Sequence, residues 1–210
     1  MRDDTAAGVE RWIEADGLRI RYVEAGQGAP LVHLRGDGGL HLTAAHELLA
    51  RHARVVVFDM PDPGQPRELA ATMARAIGAL GLATFNLMAT SSAATTALGV
   101  ALRESARVGA LVLEAPTTIR PDARDAELER RLGELTTPTL VLLGTADTVV
   151  PPAMGRVYKE RLSAGHLVFV YDAGHAISTD RPEAFAEVVL DFLERREAFV
   201  ISRATTLINP

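Results

Sequence analysis

The most informative part of the sequence is residues 85–102, FNLMATSSAATTALGVAL, in which a short apolar run passes directly into a helical pattern. Ser91 lies at the junction, with an alanine two positions before it and another two positions after it. A sharp turn between a buried strand and a helix requires such small neighbours, because larger side chains would collide with the adjacent strand and helix. The segment therefore predicts a strand, a tight turn at Ser91 and a helix.

The same alternation of apolar runs and helical stretches extends along the rest of the chain. Short β-branched runs occur at LVHL from Leu31, RVVVFDM from Arg54, GALVLEA from Gly109, TLVLLG from Thr139 and HLVFVY from His166. Such runs are typical of strands that are buried on both faces. Residues 11–26, which contain the turn dipeptide Asp16-Gly17, predict a β-hairpin. The sequence therefore predicts an α/β fold, a mostly parallel, doubly wound central sheet with an N-terminal antiparallel hairpin.

The length of 210 residues predicts a single domain, residues 1–210. Its longest connection, from Thr117 to Thr137, is charged and arginine-rich, and we expect one exposed helix there from about Asp122 to Leu135. The tail from about residue 199 to 210 has no assigned place in this fold. Two roles are open to it, packing across its own sheet or reaching a neighbouring subunit in a homodimer.

Composition excludes several classes of function. A net charge of −5 and a pI near 5.7 leave no basic stripe for nucleic acid or an anionic membrane surface. The absence of cysteine excludes disulfides, thiol catalysis and zinc-thiolate sites. The sequence shows neither a signal-peptide pattern nor an apolar run of membrane-spanning length. We therefore expect a cytoplasmic protein that binds a small-molecule substrate, with neither nucleic acid nor a membrane as a partner.

Two further loops carry candidate catalytic side chains. Asp147 follows the apolar run within PTLVLLGTADTVVPP, and His175 follows VFVYDAG just beyond the last run. Histidine is the natural general base near neutral pH, and a carboxylate can orient it. Each residue alone has an ordinary structural explanation, but loops after parallel strands meet at the carboxyl edge of a sheet. The chain order of the three residues therefore predicts that Ser91, Asp147 and His175 lie together.

With these motifs the sequence resembles the α/β-hydrolase superfamily from about Arg11 to Leu193. The segment PTLVLLGTADTVVPP is similar to the family pattern P-x-L-x-x-x-G-x-x-D-x-x-x-P, and AGH followed by RPEAFAEVVLDFL is similar to its histidine loop and final helix. The resemblance implies that Ser91 is the nucleophile, His175 the base and Asp147 the acid. It also implies hydrolysis of a small carboxylic ester or related acyl compound through an acyl-enzyme. No cofactor and no metal ion are expected.

The sequence departs from the family pattern around the nucleophile. Alanine replaces both glycines that usually flank the serine, and Arg35-Gly36-Asp37 replaces the usual His-Gly after the third strand. The resemblance implies an oxyanion hole formed by the backbone N–H groups of Asp37 and Ser92. Many relatives carry a helical cap between the serine and the acid. Here that interval leaves room for a minimal cap segment at about 117–137.

Three alternatives remain open at this point. Glu114, at the end of GALVLEA, is a second candidate for the acid, because some relatives place it after that strand. The altered flanks and oxyanion loop also fit a catalytically silent α/β-hydrolase fold that serves as a ligand-binding or interaction protein. The segment LVHLRGDGG followed by Asp59 contains part of a dinucleotide-binding fingerprint, although His41 stands where its third glycine should be. His33, within a buried run, is expected to be a hydrogen-bonded core or near-site residue.

Overall fold

The structure, a computed structural model, describes residues 9–35, 39–61, 66–120, 123–124 and 126–200. The strands are β1 (Val9–Ala15), β2 (Leu18–Ala25), β3 (Pro30–Arg35), β4 (Arg54–Asp59), β5 (Phe85–Thr90), β6 (Val108–Glu114), β7 (Ile119–Arg120), β8 (Ala123–Arg124), β9 (Thr139–Gly144) and β10 (Gly165–Val170). The helices are α1 (Ala44–Ala50), α2 (Pro66–Ala79), α3 (Ala93–Arg103), α4 (Ala126–Arg131), α5 (Ala153–Arg161), α6 (Ile177–Asp180) and α7 (Pro182–Arg195).

Eight of these strands form one twisted sheet in the order β1-β2-β4-β3-β5-β6-β9-β10. The pairs β1·β2 and β2·β4 are antiparallel, and every pair from β4 to β10 is parallel. The prediction of a mostly parallel sheet preceded by an antiparallel hairpin is confirmed. Parallel pairing matters for the site, because it brings the ends of β5, β6 and β9 and the loop after β10 to the same edge of the sheet.

The predicted hairpin turn is formed by Asp16 and Gly17. Their φ angles are 53° and 78°, so both residues adopt the left-handed conformation of a two-residue turn that matches the twist of paired strands. The Asp16 carboxylate also accepts hydrogen bonds from the Thr72 hydroxyl and the Arg75 guanidinium of α2. These contacts attach the tip of the hairpin to the helical layer.

The sheet is covered on both faces by apolar helix surfaces. Alternate residues of β4 show the division, since Val55 and Val57 pack on one side and Val56 and Phe58 on the other. One core contains buried residues of α1 and α7, including Leu49, Phe185 and Val189. The other contains buried residues of α2, α3 and α5, including Met73, Leu98 and Tyr158. These two layers hold the sheet rigid beneath its carboxyl edge.

The connection between β6 and β9 differs from the single exposed helix expected there. A two-stranded ladder of β7 and β8 precedes α4, and a 3₁₀ turn follows at Leu132–Glu134. Ile119 and Leu132 are fully buried, and the Tyr158 hydroxyl accepts from Ile119 N–H at 3.0 Å. The expectation missed the ladder because two-residue strands have no sequence period. The expected start at Asp122 lies outside the described residues.

The described part of the tail begins against the last helix. The Phe199 ring makes edge-on contacts with Phe192 and His166, at centroid distances of 5.6 Å each. Residues 201–210 lie outside the described part of the chain. In the described residues, none of the helices has both the length and the apolar character needed to cross a membrane.

Candidate active site

Ser91 occupies the turn between β5 and α3. Its φ angle is 53°, in the left-handed region that residues other than glycine rarely adopt. Ser91 N–H donates to the Glu114 carbonyl oxygen at 2.9 Å, and the Ser91 carbonyl accepts from Ala94 N–H at 3.2 Å. The flanking alanines Ala89 and Ala93 are buried. Backbone hydrogen bonds and small neighbours thus hold a strained turn that exposes the serine hydroxyl at the edge of the sheet.

The Ser91 hydroxyl is the first member of a short hydrogen-bonded chain. His175 Nε2 lies 2.9 Å from Ser91 Oγ, and His175 Nδ1 lies 2.9 Å from Asp147 Oδ2. The structure therefore brings together the three residues that the sequence pattern assigns to a triad. These contacts allow a neutral His175 to donate from Nδ1 to the carboxylate and to accept the serine proton at Nε2.

The Asp147 carboxylate is fixed by its own loop. Its side chain is fully buried, whereas that of His175 is 27% exposed. Asp147 Oδ1 accepts from the backbone N–H groups of Val149 at 2.7 Å and Val150 at 2.9 Å. These bonds compensate a buried negative charge and leave Oδ2 for the imidazole. The carboxylate therefore reaches His175 in one defined orientation.

The loops that carry the acid and base candidates lie in direct contact. Ala146 N–H donates to the Ala173 carbonyl oxygen at 2.9 Å, and a Cβ at Gly144 would collide with the carbonyl oxygens of Ala173 and Gly174. This close approach explains why glycine is required at the end of β9. Asp180 Oδ2 accepts from Gly174 N–H at 2.8 Å and secures the histidine loop from its other side. The separation of acid and base is thus set by backbone contacts.

One of the two predicted oxyanion donors can be placed. Ser92 directly precedes α3, and its backbone N–H lies at the positive end of the helix dipole beside Ser91. Its side chain makes no capping hydrogen bond. The second predicted donor, the N–H of Asp37, lies outside the described residues.

Glu114, the alternative acid, directs its carboxylate at other groups. Its Oε2 accepts from the Thr90 hydroxyl at 2.8 Å, and its Oε1 accepts from Ser178 N–H at 2.7 Å. Burial raises the pKa of Glu114, and the hydrogen bonds from Ser178 and Thr90 oppose that increase. Because Asp147 already occupies the Nδ1 side of His175, the geometry favours Asp147 over Glu114 as the acid.

Two buried histidines extend the hydrogen bonds of Glu114 into the core. His33 Nε2 lies 2.8 Å from Thr90 Oγ1, and His33 Nδ1 lies 2.8 Å from His46 Nε2. Burial, His46 and Arg35 lower the pKa of His33 well below its ordinary value, and burial lowers the pKa of His46 to about 3. Both rings are therefore neutral near pH 7. We call His46, His33, Thr90 and Glu114 the buried relay.

The buried relay is not evident from the sequence. The sequence predicts a hydrogen-bonded His33 and a Glu114 that is a rival to Asp147 as the acid, and it assigns no role to Thr90. The available signal was a polar residue inside each of two apolar strand runs, at positions 33 and 114. Among the described residues, no group of three or more histidine, aspartate or glutamate side chains is arranged to hold a metal ion.

Comparison with known proteins gives matches to hydrolases. A family model described as TAP-like protein matches residues 108–198. The chain is similar to the 2-hydroxy-6-oxo-6-(2'-aminophenyl)hexa-2,4-dienoic acid hydrolase of Metapseudomonas resinovorans, with 24% identity over 91% of this chain and 93% of that protein. It is also similar to a pimeloyl-(acyl-carrier protein) methyl ester esterase of Neisseria meningitidis, with 35% identity over 72 residues, 34% of this chain and 28% of that protein.

Solved structures show the same architecture. A serine hydrolase involved in carbazole degradation, the CarC enzyme, matches with a TM-score of 0.77 and 22% identity, over 90% of this chain and 99% of that one. At this level of identity the likeness establishes the fold.

Proposed function

We propose that this chain, a member of the α/β-hydrolase superfamily, is a serine hydrolase that cleaves a small carboxylic ester or related acyl compound through an acyl-enzyme. One observation carries the proposal: a strained Ser91 at the carboxyl edge of the sheet, hydrogen-bonded to His175, which is hydrogen-bonded to a buried Asp147. The similarity to an ester hydrolase and to a dienoic acid hydrolase supports the class of reaction.

In this proposal each of the three side chains has a distinct role. Ser91 Oγ attacks the acyl carbon while His175 Nε2 takes its proton, and the protonated imidazole then returns the proton to the leaving alcohol. Water repeats the sequence on the acyl-enzyme. The buried Asp147 carboxylate keeps the Nδ1 proton of His175 on the far side of the ring and stabilises the imidazolium that forms.

The developing oxyanion is stabilised next to Ser91. The Ser92 N–H, at the start of α3, is one donor in this proposal, and the N–H of Asp37 is the other. A backbone N–H group can donate a hydrogen bond whatever side chain its residue carries. The replacement of the usual His-Gly by Arg35-Gly36-Asp37 is therefore compatible with an oxyanion hole.

A fluorophosphonate probe distinguishes this proposal from a catalytically silent fold. The probe phosphonylates an activated serine and adds its mass to that residue, so we expect one modified peptide that contains Ser91. Ser91→Ala should not be labelled. Ser163→Ala, which removes a serine that donates to the Leu135 carbonyl far along the chain, serves as the matched control and should be labelled like the parent protein. Absence of labelling in the parent protein would favour a silent binding protein.

A further inference from the structure

The buried relay plays no part in the proposed reaction, and yet it ends next to two of the reacting groups. It crosses the carboxyl ends of three adjacent strands, from His33 on β3 through Thr90 on β5 to Glu114 on β6. Thr90 immediately precedes Ser91. Ser178, which donates its N–H to Glu114, follows His175 by three residues.

The hydrogen bonds of the relay can run in only one direction. Thr43 N–H donates to His46 Nδ1 at 3.0 Å, so this nitrogen is an acceptor and the proton of the neutral ring is on Nε2. His46 Nε2–H then donates to His33 Nδ1, which places the proton of His33 on Nε2. His33 Nε2–H donates to Thr90 Oγ1, and the Thr90 hydroxyl donates to Glu114.

Because the hydrogen bonds run in this direction, the Glu114 carboxylate at the end of the relay is an acceptor. Both oxygens of Glu114 accept, one from the Thr90 hydroxyl and one from Ser178 N–H, and no proton of the relay is left without an acceptor. The Thr90 hydroxyl donates to a carboxylate and accepts from His33, so it is held in place and is not activated as a nucleophile. The relay is therefore a set of fixed contacts in which the partly buried Thr90 joins buried histidines to a buried carboxylate.

Loss of one member leaves buried polar atoms without partners. His33, His46 and Glu114 are almost completely inaccessible to water, so solvent cannot replace a missing bond without rearrangement of the chain. Any such rearrangement would act on the turn before Ser91 and on the loop after His175. Near-attack geometry is sensitive to shifts of this kind, since a displacement of about 1 Å can cost on the order of 10²-fold in rate.

We infer that Glu114 is a positioning residue, which acts through Thr90 and Ser178 to hold the nucleophile turn and the histidine loop in register, and that the two buried histidines fix its orientation. This inference rests on the proposed function for its kinetic consequence. Its structural part, the coupling of Thr90 to the histidine loop, is independent of any reaction.

Thr90 offers a closely matched pair of substitutions. Thr90→Val removes the hydroxyl and keeps the shape, whereas Thr90→Ser keeps the hydroxyl. With a p-nitrophenyl ester we expect Thr90→Val to lower kcat by roughly 10- to 100-fold with KM changed less than about threefold, because substrate contacts stay in place. Thr90→Ser should restore kcat to within a few-fold of the parent value. Thr139→Val is the control, since it removes a buried hydroxyl that donates to the Thr137 carbonyl at the opposite end of β9.

Hydrogen exchange tests the coupling without using activity. Amide exchange in a fragment covering residues 173–181 reports on the histidine loop, which includes the Ser178 N–H. We expect exchange in this fragment to be several-fold faster in Thr90→Val and in Glu114→Gln, and unchanged in Thr90→Ser and Thr139→Val. Glutamine is an informative replacement because one of its two terminal atoms is an NH₂ donor instead of an acceptor. That donor would face either the Ser178 N–H or the Thr90 hydroxyl, and one of the two hydrogen bonds would be lost.

The two measurements separate the two proposals. Parent-like kcat and parent-like exchange in Thr90→Val would overturn the positioning role. An equal loss of kcat in Thr90→Val and Thr90→Ser would also overturn it, because the hydroxyl would then be irrelevant. If the parent protein neither turns over esters nor reacts with the probe, the proposed function fails. The exchange data alone then decide whether Thr90 and Glu114 hold the histidine loop.

Discussion

Two hydrogen-bonded chains of similar chemical groups meet at the nucleophile turn, one at Ser91 and the other at Thr90. The first contains Ser91, His175 and Asp147, and the second, the buried relay, places Thr90 between His33 and Glu114. Each contains a hydroxyl, an imidazole and a carboxylate, and the relay has a second imidazole at its far end, that of His46. In the first the imidazole lies between the hydroxyl and the carboxylate, whereas in the second the hydroxyl lies between the imidazole and the carboxylate.

This difference in order determines what each chain can do. Ser91 faces an acceptor nitrogen, so its proton has a base to go to when the oxygen attacks. Thr90 donates a hydrogen bond to a carboxylate and accepts one from His33, so its hydroxyl has no neighbouring nitrogen base to take its proton. Exposure adds a second difference, since His175 is partly accessible to a substrate and His33 is not. The same residue types are therefore arranged for proton transfer in the first chain and for fixed contacts in the second.

Replacement of Ser91 or His175 is expected to have the largest effect on kcat. With a p-nitrophenyl ester, Ser91→Ala and His175→Ala should each lower kcat by up to about 10⁶-fold, and the double variant should be scarcely slower than either single one, because the residues act as a unit. Steady-state kinetics at saturating ester measure this. Multiplication of the two losses in the double variant would show that the residues act separately.

Replacement of each carboxylate by its amide gives the sharpest contrast between the two hydrogen-bonded chains. Asp147→Asn should lower kcat by about 10⁴-fold, because an amide can favour the wrong tautomer of His175. Glu114→Gln should lower kcat by at most about 100-fold. In our proposal Glu114 holds the nucleophile turn and the histidine loop in place and takes no part in proton transfer. Circular dichroism of both variants serves as the folding control. A larger loss in Glu114→Gln than in Asp147→Asn would transfer the acid role to Glu114.

The contacts among Ser91, His175 and Asp147 could be predicted from the sequence, whereas those of the buried relay could not. The strand runs and the segments around Asp147 and His175 are local patterns, and the parallel order of strands brings their ends to one edge. The relay depends on contacts that no local pattern contains. His33 pairs with Met88 across β3 and β5, which makes Thr90 its diagonal neighbour, although the two residues are 57 positions apart. His46 reaches His33 from a helix outside the sheet.

The same limit explains the short elements after β6. The charged pattern of this segment favours a helix, and α4 forms at Ala126–Arg131. The buried position of Ile119 depends on Tyr158, which is 39 positions away on α5. A contact over this distance has no signature in residue spacing, so the sequence predicts only one exposed helix in this segment, from about Asp122 to Leu135.

The buried histidines should make stability sensitive to acid. Their pKa values in the folded chain lie well below the ordinary value of 6.5, and that of His46 is about 3. Between these values the unfolded chain binds more protons than the folded chain, so the free energy of unfolding should fall as the pH decreases from about 6.5 towards 3. Each unit of pKa corresponds to about 1.4 kcal/mol, so the shift of His46 alone corresponds to a few kcal/mol, and that of His33 acts in the same direction.

Glu114 acts in the opposite direction. Its raised pKa means that the folded chain binds its proton before the unfolded chain does, which partly offsets the loss of stability as the pH falls through that range. Urea unfolding at pH 4.5, 5.5, 6.5 and 7.5 measures the net slope. His46→Gln should flatten it, and His52→Gln, at an exposed histidine just after α1, should leave it unchanged. Equal slopes in all three proteins would contradict the assignment of buried, neutral histidines.

The smallest effect is expected from the length of the acyl group. Val149, whose backbone N–H donates to Asp147, is 46% accessible, and Tyr171, four residues before His175, is 54% accessible. Between β6 and β9 the described helices are only α4 and a 3₁₀ turn. A deep apolar pocket would gain about 0.8 kcal/mol for each buried methylene, or more than 10⁴-fold between acetyl and decanoyl esters. An open site buries few of those methylenes. We therefore expect kcat/KM to vary by less than about tenfold across p-nitrophenyl esters from acetate to decanoate, measured below the critical micelle concentration. A steep rise with chain length would require an enclosed apolar pocket beside Ser91.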